Sequence, residues 1–168
     1  MQIKIPLRLK ISLLALCPFC LKGQNQNIKD RILTCDSVII MSHEKLLTDA
    51  DAGKLDFYRE LVIKSLPNKE ILKQQMKLDI DSRSALSKIF AKMEFDSLFS
   101  PNSCFIPHHS ILFYNNGLCS YLDICFGCRV FTATKDLKYE KNILRSDEAF
   151  EELKLFFKDK GINYKIDD

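Results

Sequence analysis

The chain has 168 residues, enough for one domain and too few for two ordinary ones, and its 46% hydrophobic content is typical of a globular protein. The whole chain has a net charge of +3, but the positive charge of the first 24 residues alone exceeds this value. Four of the 25 basic residues lie in the first 24 positions, which contain no acid, so the remaining 21 basic residues face 22 acidic ones. Because no basic cluster stands out in that remainder, the sequence argues against nucleic acid as a partner.

Residues 1–24 follow the order of a secretory signal. Basic residues come first, a short apolar run covers 11–19, and polar residues follow Gly23. The apolar run is shorter than the roughly 20 residues that span a bilayer. We therefore predict a signal segment at 1–24, no transmembrane helix in the mature chain, and one domain at 25–168 that is exported to the periplasm or the extracellular space. A buried N-terminal strand or helix is the alternative.

Cys17 and Cys20 raise a second alternative, in which a lipid at one of them anchors the exported chain. A bacterial lipidation site has a small residue directly before the cysteine. Leu16 and Phe19 stand there instead. Soluble export is therefore the main expectation, and the membrane anchor is the alternative.

Apolar patterns predict two strands in the first half of the domain. Residues 38–42 form a short apolar run. Residues 71–80 alternate between apolar and polar side chains, with Gln74 as the polar exception on the apolar face. Residues 55–66 fit a strand and a helix equally well, and Pro67 ends whichever of the two forms.

Two helices are predicted from apolar residues spaced three and four positions apart. The first covers about 82–96 and is capped by Asp81 or Ser82. The second covers about 147–160 and is capped by Ser146. Acidic residues in the first turn of the second helix suit the helix dipole.

The strongest local pattern is a β-hairpin at about 110–125. Two strand-like runs flank Asn115-Asn116-Gly117, and Asn and Gly tolerate the positive φ of tight hairpin turns. Residues 130–134 continue as a third strand, and 162–166 are expected to add an edge strand. This order of elements predicts an α+β fold, in which an antiparallel sheet built around the hairpin and the following strand carries both helices on one face.

The residues suited to chemistry lie around this hairpin. Cys104, His108 and His109 precede it, and Cys125 and Cys128 follow it. We expect the hairpin to bring its two ends together, so that these side chains share one neighbourhood. No serine-hydrolase, phosphate-loop or metalloprotease motif occurs in the chain.

Three interpretations of this neighbourhood are open. In the first, Cys125 pairs with Cys128, or Cys104 pairs with one of them, in a structural disulfide suited to an oxidising compartment. In the second, thiolates and imidazoles bind zinc, and the ligands are Cys104, His108 or His109, Cys125 and Cys128. In the third, Cys125 and Cys128 perform thiol–disulfide exchange, although no helix follows them to activate a thiolate.

Asp123 is the acid with the most apolar surroundings. A buried carboxylate at this position would need a partner such as His108 or Arg129, but we expect Asp123 to mark the exposed face of the sheet. His43 stands in a polar stretch and is expected to be solvated. Cys119 is expected to be a small buried residue.

Three segments resemble a group of small exported Bacteroidota proteins: residues 107–114 (PHHSILFY), 121–128 (YLDICFGC) and 153–162 (LKLFFKDKGI). That group has a Cys-x-x-Pro-Arg-His element, a hairpin, an Ile-Cys-Phe-x-Cys element and a final Leu-Lys-x-Phe-Phe helix. The resemblance covers the second half of the chain and implies export and the same fold, without an activity. The chain departs from the pattern at His108, where the group has arginine, and this weakens any role for a cation there.

These observations together indicate a non-enzymatic exported domain that binds a partner protein or the envelope, with a structural disulfide and no cofactor. The alternative is a zinc- or thiol-dependent site at Cys104, His108, Cys125 and Cys128.

Overall fold

The computed structural model describes residues 28–44, 46, 59–93, 105–137 and 147–168. The helices within these ranges are α1 (Ile28–Thr34), α2 (Ile80–Lys92) and α3 (Asp147–Asp159). The strands are β1 (Ser37–His43), β2 (Val62–Ile63), β3 (Leu66–Pro67), β4 (Leu72–Lys77), β5 (His109–Asn115), β6 (Leu118–Cys125) and β7 (Val130–Ala133). The predicted signal segment with Cys17 and Cys20, as well as Cys104 and Ser146, lies outside the described residues.

Five strands form one antiparallel sheet in the order β4-β1-β5-β6-β7, and β2 pairs with β3 in a separate two-stranded hairpin. The predicted central hairpin is confirmed, since β5 pairs with β6 up to Asn115 and Leu118. Asn116 and Gly117 between them have φ values of 49° and 77°, which a two-residue hairpin turn requires. The predicted third strand is β7, and the α+β class is confirmed.

The helices pack on one face of the sheet, as predicted. Every second residue of the strands points to this face, for example Val38 and Ile40 in β1 and Ile111 and Phe113 in β5. The apolar stripes of α2 and α3 are buried against them: Leu86, Ile89, Phe90, Phe150, Leu153 and Phe157. The short helix α1, which the sequence patterns do not predict, buries Ile28 and Ile32 in the same core.

The other face of the sheet carries a second, smaller core. It consists of Met41, Leu46, Leu61, Ile71 and Leu112. The chain between β1 and β4 supplies three of these residues and includes the β2–β3 hairpin, which turns at Lys64 and Ser65. Because β1 and β5 are buried on both faces, their sequences read as continuous apolar runs rather than as an alternation.

Helix α2 begins earlier than the sequence predicted. Its first residue is Ile80, and its cap is Asp79 rather than Asp81 or Ser82. The Asp79 carboxylate accepts a hydrogen bond from the Ser82 main-chain N–H at 2.8 Å, and hydrogen bonds from Ser82 lower the pKa of Asp79. The helix ends at Lys92 rather than near residue 96.

Gln74 fastens the chain that follows α3 to the edge of the sheet. Its Oε1 accepts hydrogen bonds from the N–H groups of Asn163 and Tyr164 at 2.9 and 2.8 Å, and its Nε2 donates to the Gly161 carbonyl at 3.0 Å. The predicted edge strand at 162–166 is therefore wrong, and the chain makes turns there. The N–H groups of Asn163 and Tyr164 donate to the Gln74 side chain instead of to the main chain of a neighbouring strand.

Replacing Gln74 with Ala should lower the free energy of unfolding by about 1–2 kcal/mol, because three hydrogen bonds to the chain after α3 are lost. Urea denaturation followed by circular dichroism measures this. The matched control is Gln75→Ala, whose side chain is exposed on the other side of β4 and which should stay within about 0.5 kcal/mol of the parent. Equal effects of the two substitutions would contradict the assignment of Gln74 as the fastening residue.

Candidate functional site

All three histidines of the chain lie at one end of the sheet. His43 is the last residue of β1, His109 is the first residue of β5, and His108 directly precedes it. Because neighbouring strands run antiparallel, the same end holds the last residues of β6, among them Asp123 and Cys125. The ends of the predicted hairpin do come together among the described residues, and β1 adds His43 to the neighbourhood.

His43, Ser110 and Asp123 form a buried polar cluster on the sheet face opposite the helices. His43 Nε2 lies 2.9 Å from Ser110 Oγ and 3.1 Å from Asp123 Oδ1. Ser110 Oγ donates a hydrogen bond to the same Asp123 oxygen at 2.9 Å. Ser110 and Asp123 are direct partners across β5 and β6, and His43 reaches them from β1. The exposed fractions of the three residues are 0%, 0% and 3%.

Both ring nitrogens of His43 face oxygen atoms that act as acceptors. Nδ1 lies 2.7 Å from the Glu44 main-chain carbonyl, so this nitrogen carries a proton. Nε2 faces Asp123 Oδ1, and a bare lone pair on each atom would repel the other. Nε2 also lies within hydrogen-bonding distance of Ser110 Oγ, so the polar atoms of the cluster face one another inside the protein.

This arrangement differs from that of a serine hydrolase. There the histidine uses one nitrogen for the serine and the other for the carboxylate, so that a proton can leave the hydroxyl. In this chain a single nitrogen of His43 faces both partners, and the Ser110 proton points to Asp123. The cluster is also closed to solvent. It ties β1, β5 and β6 together.

The predictions for Asp123 and His43 are both wrong. The sequence predicts Asp123 on an exposed face or, if the residue is buried, next to a partner such as His108 or Arg129. It is buried, and its partners are His43 and Ser110. Arg129 instead forms an ion pair with Asp147, with nitrogen and oxygen 2.8 Å apart. The sequence predicts a solvated His43, but this residue is the last of β1 and is fully buried.

His108 lies beside the polar cluster and stabilises the junction of β1 and β5. Its Nδ1 is 3.1 Å from the His43 main-chain oxygen, and its own carbonyl accepts a hydrogen bond from the His43 N–H at 2.9 Å. The ring meets the Tyr164 ring edge-on, with centroids 6.3 Å apart. Burial lowers the pKa of His108, which favours the neutral imidazole.

His109 points to the opposite face and is part of the helix-side core. The ring centroids of Phe126 and Phe157 lie 4.9 and 5.8 Å from that of His109. The residue is 1% exposed, and within the described ranges its Nε2 has no hydrogen-bond partner. Burial, assisted by the nearby His43 and His108, lowers its pKa to about 3. His109 is therefore a neutral core residue.

Cys125 and Cys128 form a disulfide across the turn between β6 and β7. Their Cα atoms are 5.3 Å apart, within the usual range for a disulfide. The Cys128 N–H donates a hydrogen bond to the Cys125 sulfur at 3.2 Å. Gly127 lies between them, and a Cβ there would come 2.5 Å from the main-chain oxygen of Asp168. A residue without a side chain is thus required where the turn touches that oxygen.

While Cys125 and Cys128 form this disulfide, neither can supply the thiolate that the zinc interpretation requires. In the parts of the chain that the structure describes, no group of three His, Cys, Asp or Glu side chains is arranged to hold a metal ion. Cys104 lies outside those parts, so its predicted place near Cys125 and Cys128 stays a prediction. The zinc site formed by Cys104, His108, Cys125 and Cys128 also remains a prediction.

The sequence contained a signal for the buried cluster, but only in combination. Ser110 and Asp123 fall on the same sheet face once the hairpin turn is placed at 116–117. His43 could be added only with the pairing of β1 and β5, for which nothing local in the sequence gives the register. A polar pair on one face of a strongly apolar hairpin was the available sign that a third polar group faces it.

Comparison of the chain with protein-family models, with curated proteins and with solved structures finds no match. The resemblance to small exported Bacteroidota proteins therefore stays a prediction.

Replacing Asp123 with Ala should lower the free energy of unfolding by about 3–5 kcal/mol, because His43 and Ser110 would be left buried without their acceptor. Chemical denaturation measures the loss. The control is Asp167→Ala, which removes a carboxylate that pairs with Lys154 and Lys158 on the surface and should cost less than about 1 kcal/mol. A cost for Asp123→Ala as small as that of the control would show that the cluster does not support the fold.

His109 should make the protein sensitive to acid. The folded chain holds His109 neutral with a pKa of about 3, whereas the unfolded chain takes up the proton near the ordinary value of 6.5. As the pH falls from 6.5 towards 3, the free energy of unfolding should therefore decrease by up to about 1.4 kcal/mol per pH unit relative to His109→Phe. Urea denaturation of both proteins at pH 7, 6, 5 and 4 measures the difference. Parallel pH curves would contradict this assignment.

Proposed function

We propose that the protein is an exported, non-enzymatic domain that binds a partner protein or the envelope, and that its Cys125–Cys128 disulfide is structural. The observation that supports this most directly is the burial of the polar cluster. His43 and Ser110 are fully buried and Asp123 is 3% exposed, so a substrate has no access to the residue types that resemble a hydrolase site. Their hydrogen bonds are directed at one another.

The surroundings of the disulfide support a structural role. Cys125 is buried, and the disulfide closes the turn from which β7 starts at Val130. Redox-active pairs of this spacing usually stand at the start of a helix, whose dipole stabilises a thiolate. A strand follows Cys128 instead. The other described cysteines, Cys35 and Cys119, are free thiols whose pKa is raised by burial.

Export is supported by the pattern of residues 1–24 and by the disulfide, since disulfides persist in oxidising compartments. None of the helices in the described ranges is long and apolar enough to cross a membrane. Attachment to the envelope through a lipid at Cys17 or Cys20 is the alternative form of the exported protein.

A zinc or thiol site is the second candidate function. It is favoured by the strand register, because the pairing of His109 with Ile124 puts His108 and Cys125 at the same end of the sheet. Reduction of the Cys125–Cys128 disulfide would free two thiolates at the end of the sheet that also holds His108, and the proposed fourth ligand is Cys104. The two candidates exclude each other at these atoms, since a sulfur in a disulfide does not bind zinc.

The candidates are separated by expression of the whole chain in a bacterial host, purification from the periplasm, and intact-mass and zinc analysis. We expect a mass that shows removal of residues 1–24 and is two hydrogens lower than that of the reduced protein. Peptide mapping should show that Cys125 is linked to Cys128, and the zinc content should be well below one ion per chain. The same chain without residues 1–24 is the control and should stay in the cytoplasm.

Stoichiometric zinc, or a disulfide from Cys104 to either of the other two, would contradict the structural pairing. A thiol in the Cys125–Cys128 pair that reacts much faster with iodoacetamide than Cys35 and Cys119 would favour the thiol-dependent candidate. Retention of the whole chain in the cytoplasm would contradict export.

A further inference from the structure

A groove of about 480 Å³ lies on the sheet face opposite the helices. Strands β1 and β4 form its floor, and the β2–β3 hairpin forms one wall. The apolar part of its lining consists of Ile39, Leu66, Pro67, Leu72 and Tyr114. Leu66 on the rim is 63% exposed, a large exposure for leucine. A concavity of this size with apolar walls is typical of a binding site.

The charge of the groove is positive. Lys69 and Lys77 belong to its lining, and the described lining contains no acid. Both lysines are exposed, and within the described residues neither forms an ion pair. Lys73, the other lysine of β4, differs, because its Nζ lies 3.0 Å from a Glu44 carboxylate oxygen. Two cations are thus available to an anionic group beside the groove.

The groove borders the edge strand β4, which meets the chain after α3 at the Gln74 side chain. Strand β4 is the last strand of the sheet and pairs only with β1 among the described strands. Leu78 donates its N–H to the Val38 carbonyl at 2.9 Å. Because inward and outward main-chain groups alternate along an antiparallel strand, those of Gln75 and Lys77 point away from β1. The same two residues direct their side chains to the groove.

We propose that this edge and groove bind an extended acidic segment of a partner protein, which adds a strand to β4. The inference rests on the proposed binding function and names the partner's chemistry. The segment's main chain pairs with Gln75 and Lys77, its apolar side chains enter the groove, and its carboxylates meet Lys69 and Lys77. Lysines on an edge strand also deter neutral or basic strands from pairing, so the same charges select the acidic segment.

A direct test uses a fluorescein-labelled synthetic peptide of about ten residues in which Glu and Val alternate, a pattern that suits a strand with one apolar face. We expect binding in the micromolar range by fluorescence anisotropy, weakened by salt. The Lys69→Glu/Lys77→Glu double variant should weaken binding at least about tenfold. The matched control is Lys88→Glu/Lys135→Glu, which makes the same change in net charge at exposed positions outside the groove and should bind as the parent does.

The strand-addition step is tested separately. Gln75→Pro removes one outward-pointing N–H without removing a hydrogen bond to β1, and proline is tolerated on an edge strand. Circular dichroism verifies its fold, and peptide binding should be lost. A peptide N-methylated at alternate residues, added to the unchanged protein, gives the same information independently of any folding defect and should not bind.

A second probe, dodecanoate, separates an acidic strand from an anionic amphiphile. Binding of dodecanoate without binding of the Glu/Val peptide would overturn the inference. Equal binding of a peptide with Lys in place of Glu, or full binding of the N-methylated peptide, would overturn it as well. These outcomes leave the proposed function intact, since that proposal fails on the mass, zinc and export measurements.

Discussion

Strand β5 lies between β1 and β6, and its register with both decides which polar groups meet inside the protein. Because side chains alternate between the two faces of a sheet, a shift of β5 by one residue would move Ser110 to the helix side. Asp123 and His43 would then be buried without a bridging hydroxyl. The polar cluster thus forms only in the observed register. In any other register its buried polar groups would lack their partners, which raises the free energy of that arrangement.

This reciprocal dependence explains why ionisable side chains are tolerated in a core that is otherwise apolar. A buried ion pair is a weak source of stability compared with a well-packed apolar core, but the loss of one partner is costly. Misaligned strands would be destabilised by this loss, because His43 and Asp123 do not meet in them. We interpret the cluster as a determinant of strand alignment, which agrees with its complete separation from solvent.

Local patterns were enough to predict much of the fold. Asn116 and Gly117 specify the hairpin turn by their own conformational preferences, and the apolar stripes of the two long helices predict both helices and their shared face. The roles of Gln74, His43 and Asp123 could not be predicted in this way. Each depends on a partner from a distant part of the sequence, and a polar residue on a buried face looks like an exception until that partner is known.

The long sequence separation between such partners has a consequence for folding kinetics. The β5–β6 hairpin joins neighbouring segments, whereas the hydrogen bonds of Gln74 connect residues 87 to 90 positions apart. Closing so long a segment costs more conformational entropy than closing a hairpin. The hairpin is therefore expected to form early and the attachment of the chain after α3 late. Weakening Gln74 should accordingly speed unfolding more than it slows refolding.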